Sequence, residues 1–124
     1  MTYKVTNSKH SSIMAPGKFR ISYKVGEIVV AIPGTLGIMV FWTLQDAIRF
    51  IENNMFKDIS RVLGVEGIGK HTCPLQICGR ITETSFTRYY GPGPDRYHQT
   101  DPPIGTVCYR AVKVIKVLDR KEYS

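Results

Sequence analysis

The stretch TVCYRAVKVIKVL, residues Thr106–Leu118, decides the fold. It is rich in β-branched residues, which favour strands. Apolar side chains occupy most of its odd-numbered positions and also most of its even-numbered positions, which would point to opposite faces of a strand. A strand with one face in water would show apolar residues in one phase only. The pattern therefore predicts a long strand that either lies inside a sheet or bends so that its side chains change faces.

Other segments also have strand patterns, separated by Gly- and Pro-containing turns. Glu27–Ile32 is nearly all apolar, which predicts a central strand. Residues 1–18 are polar and contain Pro16-Gly17, which predicts a loosely packed N-terminal arm with room for one short strand. The remaining predicted strands cover residues 19–23, 38–42, 61–68 and, less regularly, 75–84.

One amphipathic helix follows the predicted strand at 38–42. Thr43 is a residue type that is preferred at the N-cap of a helix. Asp46 places a carboxylate in the first helical turn, where negative charge is favoured. Asn53-Asn54 marks the end of the helix. The apolar positions lie three or four residues apart, at Leu44, Ala47, Ile48, Ile51 and Met55. The predicted fold class is therefore α+β: a mainly antiparallel β-sheet with one main helix packed on it, forming a single domain over residues 1–124.

The chain of 124 residues carries a formal net charge of +7. Such a charge favours an anionic partner, with solubility alone as the alternative. Because the Lys and Arg residues are scattered, with no run of four, the pattern favours a folded anion pocket over binding of a long nucleic acid.

The cellular compartment follows from three observations. The longest apolar stretch, residues 28–42, is interrupted by Pro33, Gly34 and Gly37 and is shorter than the about 18 residues that span a membrane. The first residues lack the apolar core of an export signal. The number of cysteines is odd: Cys73, Cys78 and Cys108. Together these features predict reduced thiols in the cytoplasm.

The sequence matches no catalytic or metal-binding template. His71, Cys73 and Cys78 lie within eight residues, but a zinc site needs a second pair of ligands with its own close spacing. Gly64–Lys70 resembles a glycine-rich phosphate loop without matching either of its spacings. No G-x-S-x-G nucleophile motif occurs. We therefore predict no catalytic residue, metal or cofactor.

The stretch TSFTRYYGPGPDRYHQTDPPIG, residues 84–105, points to binding. Its Pro and Gly content predicts a loop, yet arginines stand beside aromatic rings twice within eleven residues. Aromatic faces stack on bases, and guanidinium groups bind phosphates through two hydrogen bonds. A small satellite core with arginines at its rim is the alternative. The predicted ligand-binding residues are Phe86, Arg88, Tyr89, Tyr90, Arg96, Tyr97 and His98.

Two further residues outside this loop bear on binding. Arg110 interrupts the apolar strand that follows the loop, so it lies either on an exposed strand face or on the floor of a ligand pocket. We include it among the predicted ligand-binding residues. Trp42 is predicted to pack against the start of the helix rather than to stack on a base.

Over about residues 18–118, the order of several segments resembles small phage proteins of the anti-Thoeris sponge family. The segments are YKVGEIV at 23–29, GIMVF at 37–41, TLQDAIRF at 43–50, RVLGVEG at 61–67 and GTVCYRAVKV at 105–114. The resemblance implies a protein that sequesters a cyclic ADP-ribose isomer or related cyclic nucleotide without cleaving it. It also implies a dimer or higher homo-oligomer, and in some members a second site for cyclic oligonucleotides.

Two other functions fit the sequence. One is a small enzyme that transfers ADP-ribosyl groups or cleaves phosphodiesters, with a site assembled from distant residues. The other is a module whose aromatic loop docks on a host protein. Substitution of Arg88 and Arg96 would separate the two binding functions, because nucleotide affinity depends on these cations more than an apolar protein interface does.

Overall fold

A computed structural model of the chain describes residues 1–13, 20–54, 59–75, 77–78 and 99–123. The elements follow in the order β1 (Thr2–Asn7), β2 (Ile28–Val30), β3 (Ile38–Phe41), α1 (Leu44–Asn53), β4 (Ser60–Thr72), β5 (Ile77–Cys78), β6 (Gln99–Thr100) and β7 (Thr106–Val117), and a short 3₁₀ helix spans Arg120–Glu122.

The main sheet has five strands in the order β2-β7-β3-β1-β4, and β4 also pairs with β7. This additional pairing closes the sheet into a small barrel. Every pairing in it is antiparallel. Strands β5 and β6 form a separate antiparallel pair. The predicted α+β class, with a mainly antiparallel sheet and one main helix packed on it, is confirmed.

Strand β7 is the centre of the sheet, as the apolar stretch at 106–118 predicts. Strand β4 pairs along one edge of β7, while β3 and then β2 pair along the other edge. The strand also changes faces. Val107 and Tyr109 belong to the same core cluster as Val112 and Val114, so the buried phase shifts from odd to even positions between 109 and 112. Both features that the sequence offered as alternatives therefore occur together.

Helix α1 begins and ends where the sequence predicts. The Thr43 hydroxyl oxygen accepts a hydrogen bond from the Asp46 backbone N–H at 3.1 Å, and Asn54 is the C-cap. Ala47 and Ile51 are buried. Together with Val5, Phe41 and other residues, they form a cluster between the helix and one face of the sheet.

A second cluster occupies the opposite face of the sheet. It joins residues from β2, β3, β4 and β7, and Leu63, Val40 and Val107 have no exposed side-chain area. Lys4 lies on this face as well, because it pairs directly with Leu63 across the ladder.

Three sequence-based expectations differ from the structure. In the arm expected at 1–18, the one short strand occurs as Thr2–Asn7, but it is not loosely packed, since β1 pairs with both β3 and β4 and buries Val5. Strand β2 pairs only with β7 among the described strands and is not central; its side chains at Ile28 and Val30 are 61% and 67% exposed. The strand expected at 19–23 is reduced, over its described residues, to a single bridge between Ser11 and Ser22.

Candidate functional site

Seven of the eight predicted ligand-binding residues lie outside the described residues. They are Phe86, Arg88, Tyr89, Tyr90, Arg96, Tyr97 and His98. The structure does describe what borders this part of the chain: Ile77 pairs with Thr100 and Cys78 with Gln99. Cys78 and Gln99, which flank residues 79–98 in the sequence, are therefore adjacent. The roles of the seven residues stay predictions.

Arg110 is exposed, which agrees with the strand-face interpretation rather than the pocket floor. Its guanidinium donates one hydrogen bond to the Thr35 carbonyl at 2.6 Å and another to the Ile32 carbonyl at 3.2 Å. These bonds attach the turn between β2 and β3 to β7. A guanidinium has five N–H groups, so these two bonds do not use all of its donors.

Three rings from different elements form what we call the ring array: Trp42, His71 and Tyr109. The centroids of Trp42 and His71 are 4.9 Å apart with the rings edge to face. The centroids of His71 and Tyr109 are 5.9 Å apart with the rings tilted by 58°. Tyr109 is buried, whereas Trp42 is 44% exposed and His71 is exposed. The array therefore consists of two rings that are exposed to solvent, Trp42 and His71, and one buried ring, Tyr109.

The backbone fixes each ring of the array. Trp42 lies between β3 and the N-cap of α1, and its backbone N–H donates to the Gly105 carbonyl at 3.0 Å. His71 pairs directly with Tyr109 across the β4–β7 ladder. Gly67 leaves room for the Tyr109 ring, because a Cβ at position 67 would overlap that ring.

The ring array lies where the chain leaves and rejoins the main sheet. Thr72, next to His71, pairs with Cys108, and residues 73–75 then lead towards β5. On the other side, residues 101–105 connect β6 to β7, and Gly105 is bonded to Trp42. The rings are therefore beside both ends of the connection that contains the predicted aromatic loop.

The chemistry available at the array is stacking and hydrogen bonding. Exposed aromatic faces bind bases with little dependence on sequence, and the imidazole of His71 can donate or accept a hydrogen bond. Lys70, which precedes His71 on β4, is exposed. Within the described ranges no three His, Cys, Asp or Glu side chains are grouped so that they could hold a metal ion.

A second group of titratable residues consists of Lys4, Tyr23 and Cys108. It does not resemble a reactive site. The Lys4 Nζ donates to the Met39 carbonyl at 2.9 Å and lies 5.6 Å from the centroid of the Tyr23 ring. Burial lowers the pKa of Lys4 to about 8, and the nearby Cys108 partly opposes this effect. Burial raises the pKa of Cys108 to about 11 and that of Tyr23 to about 12. Cys108 therefore remains a protonated thiol, which is a poor nucleophile.

Sequence reasoning assigned Trp42 to packing and considered His71 only as a metal ligand. The alternation of β3 points the other way for Trp42, because it would continue the buried positions Ile38 and Val40, whereas the Trp42 side chain is 44% exposed. No local pattern could join His71 to Trp42, because their contact depends on how β4 and β3 both pair with β7.

No protein-family model matches the chain, and neither the curated proteins nor the solved structures contain a significant match to it. In the described part of the chain, no helix is long and apolar enough to cross a membrane.

Proposed function

We propose that this protein binds and sequesters an anionic nucleotide-derived ligand of the cyclic ADP-ribose class, without cleaving it, in the cytoplasm. The observation that carries the proposal is the ring array: two solvent-facing rings, Trp42 and His71, supported by a buried Tyr109. In a chain with a net charge of +7, such a surface combines the two properties that a nucleotide requires.

In this proposal the base stacks on the exposed indole of Trp42, and His71 supplies a hydrogen bond. The phosphates are bound by cations, for which Lys70 and the predicted Arg88 and Arg96 are the candidates. The ring array adjoins both ends of the connection that holds these arginines and the loop aromatics, which supports a shared site. Two or more copies of the chain would associate, so that the shallow surface of one is completed by another.

Retention of the ligand requires tight binding. A submicromolar dissociation constant corresponds to more than about 8 kcal/mol of binding free energy. Stacking of one base contributes about 1–3 kcal/mol, so charge-assisted bonds to the phosphates must supply much of the rest. The arrangement needs no nucleophile, which agrees with the raised pKa of the Cys108 thiol.

Docking on a host protein is the second candidate, and one observation favours it. Leu75 is 88% exposed and Ile104 is 69% exposed, and they lie on the two connections that border β5 and β6. Large exposed apolar patches often mark interaction sites, and these two side chains are candidates for one.

Trp42 is the single tryptophan of the chain, so its fluorescence reports directly on the ring array. The test is a titration with cyclic ADP-ribose isomers, monitored by that fluorescence. The proposal predicts a saturable change with a submicromolar midpoint. A flat signal at ligand concentrations far above micromolar would reject the array as the base platform.

A further inference from the structure

Strand β2 has one open edge, because β7 is the one described strand with which it pairs. Its exposed side chains are apolar: Ile28 is 61% exposed and Val30 is 67% exposed. Proteins usually protect an open edge with charged residues, proline or a bulge. No charged residue occurs between Ile28 and Ile32, and Pro33 comes only after the strand. We call the side of β2 that faces away from β7 the β2 edge.

The backbone hydrogen bonds show which groups the β2 edge presents. The Ala31 N–H donates to a carbonyl of β7 at 2.8 Å, and the Glu27 carbonyl accepts from an N–H of β7 at 3.0 Å. In an antiparallel ladder, the backbone groups of successive residues point alternately towards the partner strand and away from it. Because residues 27 and 31 point towards β7, the N–H and C=O groups of Ile28 and Val30 point away from it.

A second copy of this chain presents the same two residues and can pair with them. If two β2 strands lie antiparallel about a two-fold axis through Val29, Ile28 of each copy lies directly opposite Val30 of the other. Each of these two pairs exchanges two hydrogen bonds. All the backbone groups that point away from β7 between residues 28 and 30 are then satisfied.

Other registers of the same pairing satisfy fewer groups. A shift by one residue would place an exposed side chain opposite the buried Val29, although opposite residues must share a face of the sheet. Placing Ile28 opposite its own copy would put Val30 opposite Gly26, whose N–H already donates to β7. Placing Val30 opposite its own copy would put Ile28 opposite Ile32, whose carbonyl already accepts from an arginine of β7. The register centred on Val29 is therefore favoured.

The side chains at the β2 edge suit this register. Ile28 and Val30 are both β-branched, and apolar side chains that lie directly opposite each other stabilise an antiparallel pair. On the same face, Val30 pairs with Ala111 of β7, and Ala111 pairs with Ile68 of β4, which is 42% exposed. The apolar row across these three strands would therefore continue into the partner copy through its Ile28.

The charges near the β2 edge are balanced, although the whole chain carries +7. Lys24 and Glu27, which precede the strand, have opposite charges. On the exposed face, Lys113 lies between Ile28 and Glu66 of the neighbouring strands. Two copies therefore meet here without net repulsion between these charges, whereas an anionic partner finds no excess of positive charge.

We propose that two copies of this chain associate through the β2 edge and form one continuous antiparallel sheet. The β2 edge shares no residue with the ring array, so this association is separate from the one contained in the proposed function. Interfaces below about 1,200 Å² are typical of transient complexes, and a three-residue strand pairing is of this kind, so we expect a dissociation constant of about 10–100 µM.

Disulfide trapping tests the register with full chains that carry either Ile28→Cys or Val30→Cys. In a mixture of the two variants, the new thiols lie directly opposite each other, with Cα atoms about 5.5 Å apart, which suits a disulfide. In either variant alone, the new thiols lie diagonally, about 7–8 Å apart, which is beyond the usual range. We expect a disulfide between positions 28 and 30 in the mixture and little in either variant alone. Mass spectrometry of proteolytic peptides distinguishes this linkage from disulfides of the three natural cysteines.

Sedimentation equilibrium of the ligand-free chain measures the strength of association. Val30→Lys should weaken it by about tenfold, because the new charge would lose water at the interface. Ile68→Lys is the matched control, since it places the same charge on an exposed apolar position of the same face, two strands away from the β2 edge. It should associate as the wild type does.

Three results would overturn the inference: a wild-type chain that stays monomeric well above the expected dissociation constant, equal association by the Val30→Lys and Ile68→Lys variants, or no disulfide between positions 28 and 30 in the mixture. A monomeric chain would leave the β2 edge to an extended segment of another protein. Trp42 fluorescence reports nucleotide binding in the same variants, and Val30→Lys should leave it unchanged. Failure of the proposed function and failure of this association are therefore recognised separately.

Discussion

The indole of Trp42 meets the imidazole of His71 edge to face, with ring centroids 4.9 Å apart. The two residues are 29 positions apart in sequence: Trp42 lies between β3 and the N-cap of α1, and His71 is near the end of β4. Their contact depends on β7, with which both β3 and β4 pair. The long central strand thus positions the surface to which we assign ligand binding.

Replacement of Trp42 by alanine should weaken binding of a cyclic ADP-ribose isomer by about 5- to 150-fold, because stacking on one base contributes about 1–3 kcal/mol. Since the side chain is 44% exposed, the melting temperature should change little. Calorimetric titration measures the first effect and thermal unfolding the second.

Ile28→Ala is a suitable control, because Ile28 is exposed on β2 and is not part of the ring array. Unchanged affinity in Trp42→Ala, or an equal loss in the Ile28→Ala control, would contradict the assignment of the base to the indole.

Substitution of Gly67 by alanine should lower the free energy of unfolding by about 1–3 kcal/mol, as overpacking of a filled site does. A Cβ at this position would overlap the Tyr109 ring and force it to move. Chemical denaturation measures the cost. In a Tyr109→Ala background the same glycine substitution should cost much less, and an equal cost in both backgrounds would show that the ring is not responsible.

Thr43→Ala should destabilise the protein by about 1 kcal/mol, because it removes the N-cap of α1. The hydroxyl accepts from the Asp46 N–H at 3.1 Å and donates to the Asp46 carboxylate at 2.8 Å. Thr43→Ser keeps both bonds and should retain most of the stability. If the two substitutions destabilise the protein equally in a denaturation experiment, the capping bonds are not the cause.

The stability of the protein should rise slightly above pH 8 and then fall. Burial lowers the pKa of Lys4 from 10.5 to about 8, so above pH 8 the unfolded chain holds a proton that the folded chain has lost. Burial raises the pKa of Cys108 from 9.0 to about 11 and that of Tyr23 from 10.0 to about 12. The folded chain therefore keeps a proton that the unfolded chain loses, above pH 9 at Cys108 and above pH 10 at Tyr23. As the pH rises, the effect of Lys4 raises the free energy of unfolding, and the effect of Cys108 and Tyr23 lowers it.

The rise attributed to Lys4 is at most about 1.4 kcal/mol per pH unit. Urea denaturation at several pH values measures it. In Lys4→Met the rise should disappear while the fall above pH 9 remains. In Lys24→Met, which removes an exposed lysine, both should persist; loss of the rise in this control would mean that Lys4 is not its source.

The elements that could be predicted from sequence are those whose signals are local. The cap at Thr43 and the spacing of Ala47 and Ile51 define α1 within the helix itself. The two apolar phases of β7 likewise indicate a strand that either lies inside a sheet or bends to change faces, and the structure shows both features.

The expectations that were wrong depended on pairing between distant strands. The polar sequence of β1 suggested a loose arm, but Thr6 is buried because the strand lies between β3 and β4. The apolar sequence of β2 suggested a central strand, but no pattern within it reveals that Ile28 and Val30 are exposed. The ring array was missed for the same reason, since its contacts cross between elements.

The central claim is that the protein holds a nucleotide-derived ligand without cleaving it. The most direct measurement incubates the protein with cyclic ADP-ribose isomers and cyclic oligonucleotides, removes free ligand, denatures the protein by heat and identifies the released compound by mass and retention time. We expect intact cyclic ADP-ribose isomer in near-stoichiometric amount from the wild type and much less from Trp42→Ala. A chemically altered ligand would mean an enzyme, and no retained ligand would contradict nucleotide sequestration.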